Sequence, residues 1–216
     1  MSHTRHAVIA LTAVSLAVPA VLADDLFPPP WRGTHGTTFQ HWGFDLPGGG
    51  SPDNGLNNPF GTPLFSPSPG ANWDPIDPSG QRTGTYMITL SDTLDFEVPN
   101  HDHPGGQKEL WLQFVYTTID GIGPTSSVLD PAGGAAFTLT NSSSTDLGGG
   151  LYHQLDIYSY ADCPPGELVT LSPGTPNSPA WIDQVVIDTR CVIPSPASIS
   201  ILSLAGLAAL RRRRAD

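Results

Sequence analysis

The chain has 216 residues, of which 23 are Gly, 23 are Pro, 38% are hydrophobic and only 13% are charged. Gly and Pro interrupt helices and the long charged side chains that favour them are scarce, so a mostly helical fold, a coiled coil and a long charged disordered chain are excluded. The formal net charge is −11, concentrated in residues 24–193, where 19 acids stand against Arg32, Arg82, Lys108 and Arg190; a body that acidic repels phosphate backbones, which disfavours nucleic acid as a partner.

Residues 1–23 read as a secretory signal peptide. Arg5 supplies the basic start, Ala7 to Leu22 the apolar run, and Val21 and Ala23 the small residues at the cut. Signal peptidase is expected to cleave after Ala23, just before Asp24 and Asp25. The run holds no Cys, so no lipoprotein anchor is expected. Residues 24–80 form a Pro/Gly-rich segment with one expected strand, Thr37 to Phe44. Pro47 to Gly70 carries Gly-Gly-Gly, Pro-Asp-Asn-Gly and Ser-Pro-Ser-Pro, and reads as a long loop.

From residue 81 to 191 the alternation of apolar and polar residues marks successive strands. These are Tyr86 to Leu90, Leu94 to Val98, Glu109 to Thr118, Ala135 to Thr140, Leu151 to Tyr160, Glu167 to Leu171 and Ala180 to Thr189. The segment Glu109 to Thr118 is apolar on both faces, which predicts a central strand. About eight short strands separated by turns predict an all-β, antiparallel β-sandwich of jelly-roll form. Cys163 and Cys191, the two cysteines of an exported chain, most simply form one disulfide. Closing that loop contributes about 3.6 kcal/mol in the chain-entropy picture.

Three sets of residues carry possible chemistry. His101 and His103 would share one face of a strand, with Glu109 as a third metal ligand. That pattern faintly resembles the His-x-His then Glu motif of cupins, and the resemblance implies a metal-dependent enzyme on a jelly roll. The competing reading is a polar turn marked by Asn100, Pro104, Gly105 and Gly106. Trp31, Trp42 and Trp73 sit in or near loops and are candidates for stacking on sugars, whereas Trp111 and Trp181 belong in the core. Asp74 and Asp77 form a possible acid pair, and Asp53 to Asn58 loosely matches a calcium loop; an acidic loop and a turn are the plainer readings. A serine nucleophile elbow, a zinc-binding His-Glu-x-x-His, a phosphate loop and a dinucleotide fingerprint are all absent from the sequence. The expectation is a non-enzymatic protein with no cofactor; the alternatives are a carbohydrate-binding module and the cupin-like enzyme.

The C-terminal residues 192–216 have three parts. Pro194-Ser195-Pro196 comes first, then an apolar segment from Ala197 to Leu210, then Arg211, Arg212, Arg213 and Arg214. A helix over the apolar segment spans about 21 Å, short for a hydrocarbon core of about 30 Å but able to insert with snorkelling arginines. The arginines would stay cytoplasmic and the body outside. This tail resembles the PEP-CTERM sorting signal of exported bacterial proteins, with Ser195 where that signal usually has Glu. The resemblance implies processing by an exosortase. The expected route is export, transient anchoring in the inner membrane by the short transmembrane helix, then residence at the cell surface or in the extracellular matrix, with extracellular polysaccharide as a possible partner.

Overall fold

Two long strands with apolar side chains on both faces organise the molecule. In the computed structural model, which describes residues 25–193, twelve strands are present and no helix. They are β1 (Thr37–Trp42), β2 (Gly55–Asn57), β3 (Leu64–Pro67), β4 (Asn72–Asp74), β5 (Thr85–Ile88), β6 (Leu94–Pro99), β7 (Gln107–Thr118), β8 (Thr125–Leu129), β9 (Thr138–Gly148), β10 (Leu151–Tyr160), β11 (Gly166–Ser172) and β12 (Ala180–Val192). β7 and β12 pair along nearly their whole length, and β10 flanks β7. The other edge of β12 takes two partners in succession: Ala180–Ile182 pairs β5, and Val185–Arg190 pairs β1. A bulge at Asp183 separates those two halves and resets which side chains point inward.

The larger sheet runs β2-β1-β12-β7-β10-β9, with β4 and β5 continuing beside β1 on the edge of β12. The smaller sheet runs β3-β6-β11-β8, and every pairing in both sheets is antiparallel. The protein is therefore an antiparallel β-sandwich. Leu110, Leu112 and Phe114 of β7 with Val185 and Ile187 of β12 form one wall of the core. Leu94, Phe96 and Val98 of β6 with Val169 and Leu171 of β11 form the other. Trp42, Phe44, Phe65 and Tyr86 gather around Phe96, with Phe65 stacked on it at 5.0 Å. Phe44 enters this cluster by a left-handed turn (φ 55°) that ends β1.

The sequence places one strand in residues 24–80, and the structure corrects this to four, β1 to β4. β2 and β4 have three residues and β3 has four, too few for alternation to show. β1 and β3 belong to opposite sheets, so this segment is part of the sandwich and not an appendage. β9 is a second departure. Its Asn141–Asp146 stretch is exposed, rich in Ser and Thr, and held by its ladder to β10 and not by burial. The signal peptide, the Pro-x-Pro motif, the apolar segment and the Arg cluster lie outside the described residues. Among the described residues no helix is long and apolar enough to cross a membrane.

Cys163 and Cys191 form the expected disulfide, closing 28 residues. It lies at the end of β12, where Cys191 is opposite Lys108 of β7. Gly106 packs so closely that a Cβ there would come within 2.6 Å of both sulfurs. Replacing both cysteines by Ala is expected to lower stability by about 2–4 kcal/mol, read as a drop in the denaturant midpoint.

Candidate functional site

The N-terminal stretch before β1 lies as a strap across the outer face of the larger sheet. The Phe27 amide donates to Gln113 Oε1 at 2.9 Å, and the Phe27 ring meets His153 edge-on at 5.3 Å. Arg32 Nε donates to Asp188 Oδ1 at 2.6 Å, its guanidinium also bonds Asp25, and it sits 4.2 Å over the Phe39 ring. Trp31 is 7% exposed, edge-on to Trp111 at 6.3 Å and beneath the Arg190 guanidinium at 5.0 Å. Trp31 thus seals the strap onto the sheet and offers no open ring face. Trp42 is buried between the sheets, and its Nε1 donates to Gly50 O at 3.2 Å. Trp73 packs against the core with its Nε1 on Phe44 O at 2.9 Å. Of the tryptophans proposed from the sequence for stacking on sugars, Trp31 and Trp42 are used as packing, and Trp73 is half-buried against the core with its Nε1 on a backbone carbonyl.

The cupin-like set does not assemble. His101 and His103 lie in the β6–β7 connection and not on a strand, with ring centres 6.0 Å apart and Phe60 edge-on to His101. Glu109 points out from β7 on the far side of the larger sheet. It accepts from Arg190 Nε at 2.9 Å, Trp111 Nε1 at 2.6 Å and Trp31 Nε1 at 3.3 Å. Burial pushes its carboxyl up, but the Arg190 and Trp111 bonds outweigh this and hold it below the ordinary carboxylate range. Among the described residues no group of three or more His, Cys, Asp or Glu is arranged to hold a metal ion. Asp74 and Asp77 are also spent separately. Asp74 accepts from Trp181 Nε1 at 2.9 Å, and Asp53 accepts from the Gly43 amide at 2.6 Å. Asp77 is buried and accepts from Thr117 Oγ1 at 2.6 Å, Ser79 Oγ at 2.6 Å and the Gln81 and Arg82 amides.

Sequence reading missed an open polar surface on β9 and β10. The larger sheet overhangs the smaller one at β10 and β9. Even-numbered residues of β10 face the smaller sheet, whose last strand is β8. Asp156 lies at the boundary and is 4% exposed. It accepts from Ser142 Oγ and Gln154 Nε2, each at 2.7 Å, and from Ser126 of β8. Ser126 Oγ also meets Tyr158 Oη at 2.6 Å. Beyond this boundary Ser142 and Ser144 of β9 are exposed, and Gln154 and Tyr152 are half-buried. Tyr152 stacks on Tyr116 at 5.4 Å with planes 20° apart. The result is a shallow step with the Tyr152 ring at one end and hydroxyl and amide groups beside it, of which Ser142 and Gln154 are held in place by Asp156.

A second missed feature is fully enclosed. Lys108, the chain's single Lys, meets Glu167 at 2.7 Å with both side chains at 0% exposure. Asn100, Thr189, Thr38 and Gln40 extend this contact into a buried polar chain.

No family model matches this chain, and no curated protein matches it. Among solved structures, it is similar to the CBM22-1 xylan-binding domain from Paenibacillus barcinonensis Xyn10C, at 14% identity and a TM-score of 0.40, over 61% of this chain and 87% of that one. It is also similar to TmCBM27, a carbohydrate-binding module studied for mannan recognition, at 12% identity and 0.37, over 71% and 98%. A third is TmCBM61, solved with β-1,4-galactotriose, at 10% identity and 0.27, over 59% and 88%.

The Asp77 carboxyl has a direct consequence for pH dependence. Burial raises its pKa, but bonds from Ser79, Thr117 and the two amides outweigh burial, and the net displacement is downward. A carboxyl lowered in the folded state contributes stability above its unfolded value of about 3.9 and loses it as the pH falls through the folded value. Asp77→Asn is expected to cost about 1–3 kcal/mol at pH 7 and to flatten the fall in stability below pH ~4, measured by denaturant midpoints across pH.

Proposed function

We propose that this protein is a non-catalytic carbohydrate-binding protein that holds polysaccharide on the overhanging step of β9 and β10. The observation that carries this is that Asp156 holds Ser142 and Gln154 on the same strands as the half-buried Tyr152 and the exposed Ser144. Sugars are recognised by an aromatic face that covers their C–H surface together with planar polar groups that meet their hydroxyls. Asp156 takes the Nε2 of Gln154 and the hydroxyl of Ser142, so those side chains are oriented before any ligand arrives and lose less freedom on binding. A shallow, open step suits a chain that continues past both ends, as a polysaccharide does.

The acidic body and the two terminal segments suggest where this happens. We infer that the protein is exported, loses residues 1–23 to signal peptidase, and is handled at residues 192–216 by an exosortase. The Pro194-Ser195-Pro196 motif, the apolar segment and Arg211–Arg214 support that reading. Mass spectrometry of the mature protein from its native host is expected to find a C-terminus upstream of Ala197. A chain ending at Asp216 would refute the sorting.

The binding reading is tested by affinity electrophoresis in gels containing soluble xylan, mannan or galactan. Retardation is expected in at least one gel. Tyr152→Ala or Gln154→Ala is expected to weaken it about tenfold, the equivalent of about 1.4 kcal/mol, while Trp73→Ala leaves it unchanged. Unaltered retardation of both step variants would remove this surface from the function.

A further inference from the structure

The buried Lys108–Glu167 contact is poorly explained as a stabilising ion pair. Taking two charges out of water costs several kcal/mol per ion, and apolar replacements often stabilise such sites. Both groups are pushed toward their neutral forms. Burial lowers the Lys108 pKa against the pull of Glu167, and burial raises the Glu167 pKa against the pull of Lys108 and Asn100. A neutral amine is a nucleophile, and a neutral carboxyl is a proton donor. The third member of the site is a carboxamide. Asn100 continues the inward row Leu94, Phe96, Val98 just past β6, and Val98 is opposite Glu167 in β11. Lys108 begins the inward row of β7 from the facing sheet.

The geometry assigns a relay to the carboxyl group of Glu167. Lys108 Nζ lies 2.7 Å from Oε1 and Asn100 Nδ2 lies 3.0 Å from Oε2. The His101 amide donates to Asn100 Oδ1 at 3.2 Å, and Thr189 Oγ1 holds Nδ2 from the other side at 2.5 Å. We propose that Lys108 and Asn100 become joined by an intramolecular isopeptide bond, with Glu167 as the catalytic acid–base residue. The lone pair of neutral Nζ adds to Cγ of Asn100, and charge collects on Oδ1 beside the His101 N–H. Oε1 of Glu167 takes one proton from Nζ, and the carboxyl gives its own proton through Oε2 to Nδ2. The Cγ–Nδ2 bond then breaks, ammonia leaves, and the Nζ–Cγ amide remains. Glu167 ends as it began, and no oxidant, metal or co-reactant is consumed. The product carries no buried charge at Lys108, which removes the cost of the ion pair. It also staples the β6–β7 connection beside the Cys163–Cys191 disulfide, where a protein outside the cell gains from a second covalent tie.

The test is peptide mapping of the full chain after reduction, alkylation and denaturation. Trypsin cuts after Arg82, Lys108 and Arg190. The cross-linked protein is expected to give peptide 83–190 uncut at Lys108 and lighter than its sequence mass by one ammonia, about 17 Da. Lys108→Arg and Glu167→Gln are each expected to restore the full mass and cleavage at position 108. Deamidating cyclisation at Asn54-Gly55 loses the same mass but falls in a different peptide. Separate peptides 83–108 and 109–190 from the unsubstituted protein would overturn the proposal, whether or not the first has lost ammonia. That measurement needs no variant to fold, and it is independent of any polysaccharide.

Discussion

One end of this sandwich is closed by a contact between an amine and a carboxyl that water does not reach. Lys108 comes from the larger sheet and Glu167 from the smaller, so the two sheets meet there through polar atoms and not through side-chain methyls. A buried polar group without a partner costs about 1–3 kcal/mol, so each group at this end requires the next. Asn100 bonds Glu167 and Thr189, Thr189 bonds Thr38, and Gln40 reaches Thr38. The chain of bonds links β11, β12 and β1 with the connection after β6. The disulfide and the tight fit of Gly106 close the same end from outside. The aromatic cluster around Phe96 occupies the other part of the interior, where packing area and not hydrogen bonding does the work.

The scarcity of basic residues shapes the rest. Four cations serve residues 25–193, and each meets an acid. Arg32 takes Asp25 and Asp188, Arg82 takes Asp183 at 3.5 Å, Lys108 takes Glu167 and Arg190 takes Glu109. Two of these pairs, with the rings of Trp31 and Phe39, fasten the strap over the outer face of the larger sheet. Of the remaining acids, Asp77 and Asp156 are buried and satisfied by hydroxyl and amide donors instead of cations. The open step on β9 and β10 is built from hydroxyls, amides and tyrosines beside one acid, with no basic side chain in it among the described residues.

The longer strands that bury one or both faces were legible from alternation. Leu151–Tyr160 matches its expected bounds, and the central place of β7 followed from its two apolar faces. The disulfide followed from there being two cysteines in a chain that reads as exported. β2, β3, β4 and β8 were not legible, and of β9 only Thr138–Thr140 fell within the expected Ala135–Thr140 strand. The first three are shorter than the period that would reveal them, β8 buries one apolar side chain, Val128, and the rest of β9 is held by backbone bonds to β10 whatever its side chains are. The metal set failed because Glu109 stands one position from Lys108, and neighbours on a strand point to opposite faces. The step was invisible because Ser126, Ser142 and Asp156 lie 14 to 30 residues apart.

Composition and period two are properties of the chain itself. They determined an acidic, turn-rich all-β body with apolar rows of known residues. Which polar residues would share a site depended on register, on the Asp183 bulge and on which strand ends face each other across the sheets. Register is a pairing between segments distant in sequence. Only the folded chain therefore brings Lys108, Asn100 and Glu167 to one carboxyl, and Tyr152, Gln154 and Ser142 to one step. The single Lys was visible from the start, but its meaning came with burial: in water it is one more surface charge, and between the sheets it meets Glu167 out of reach of solvent.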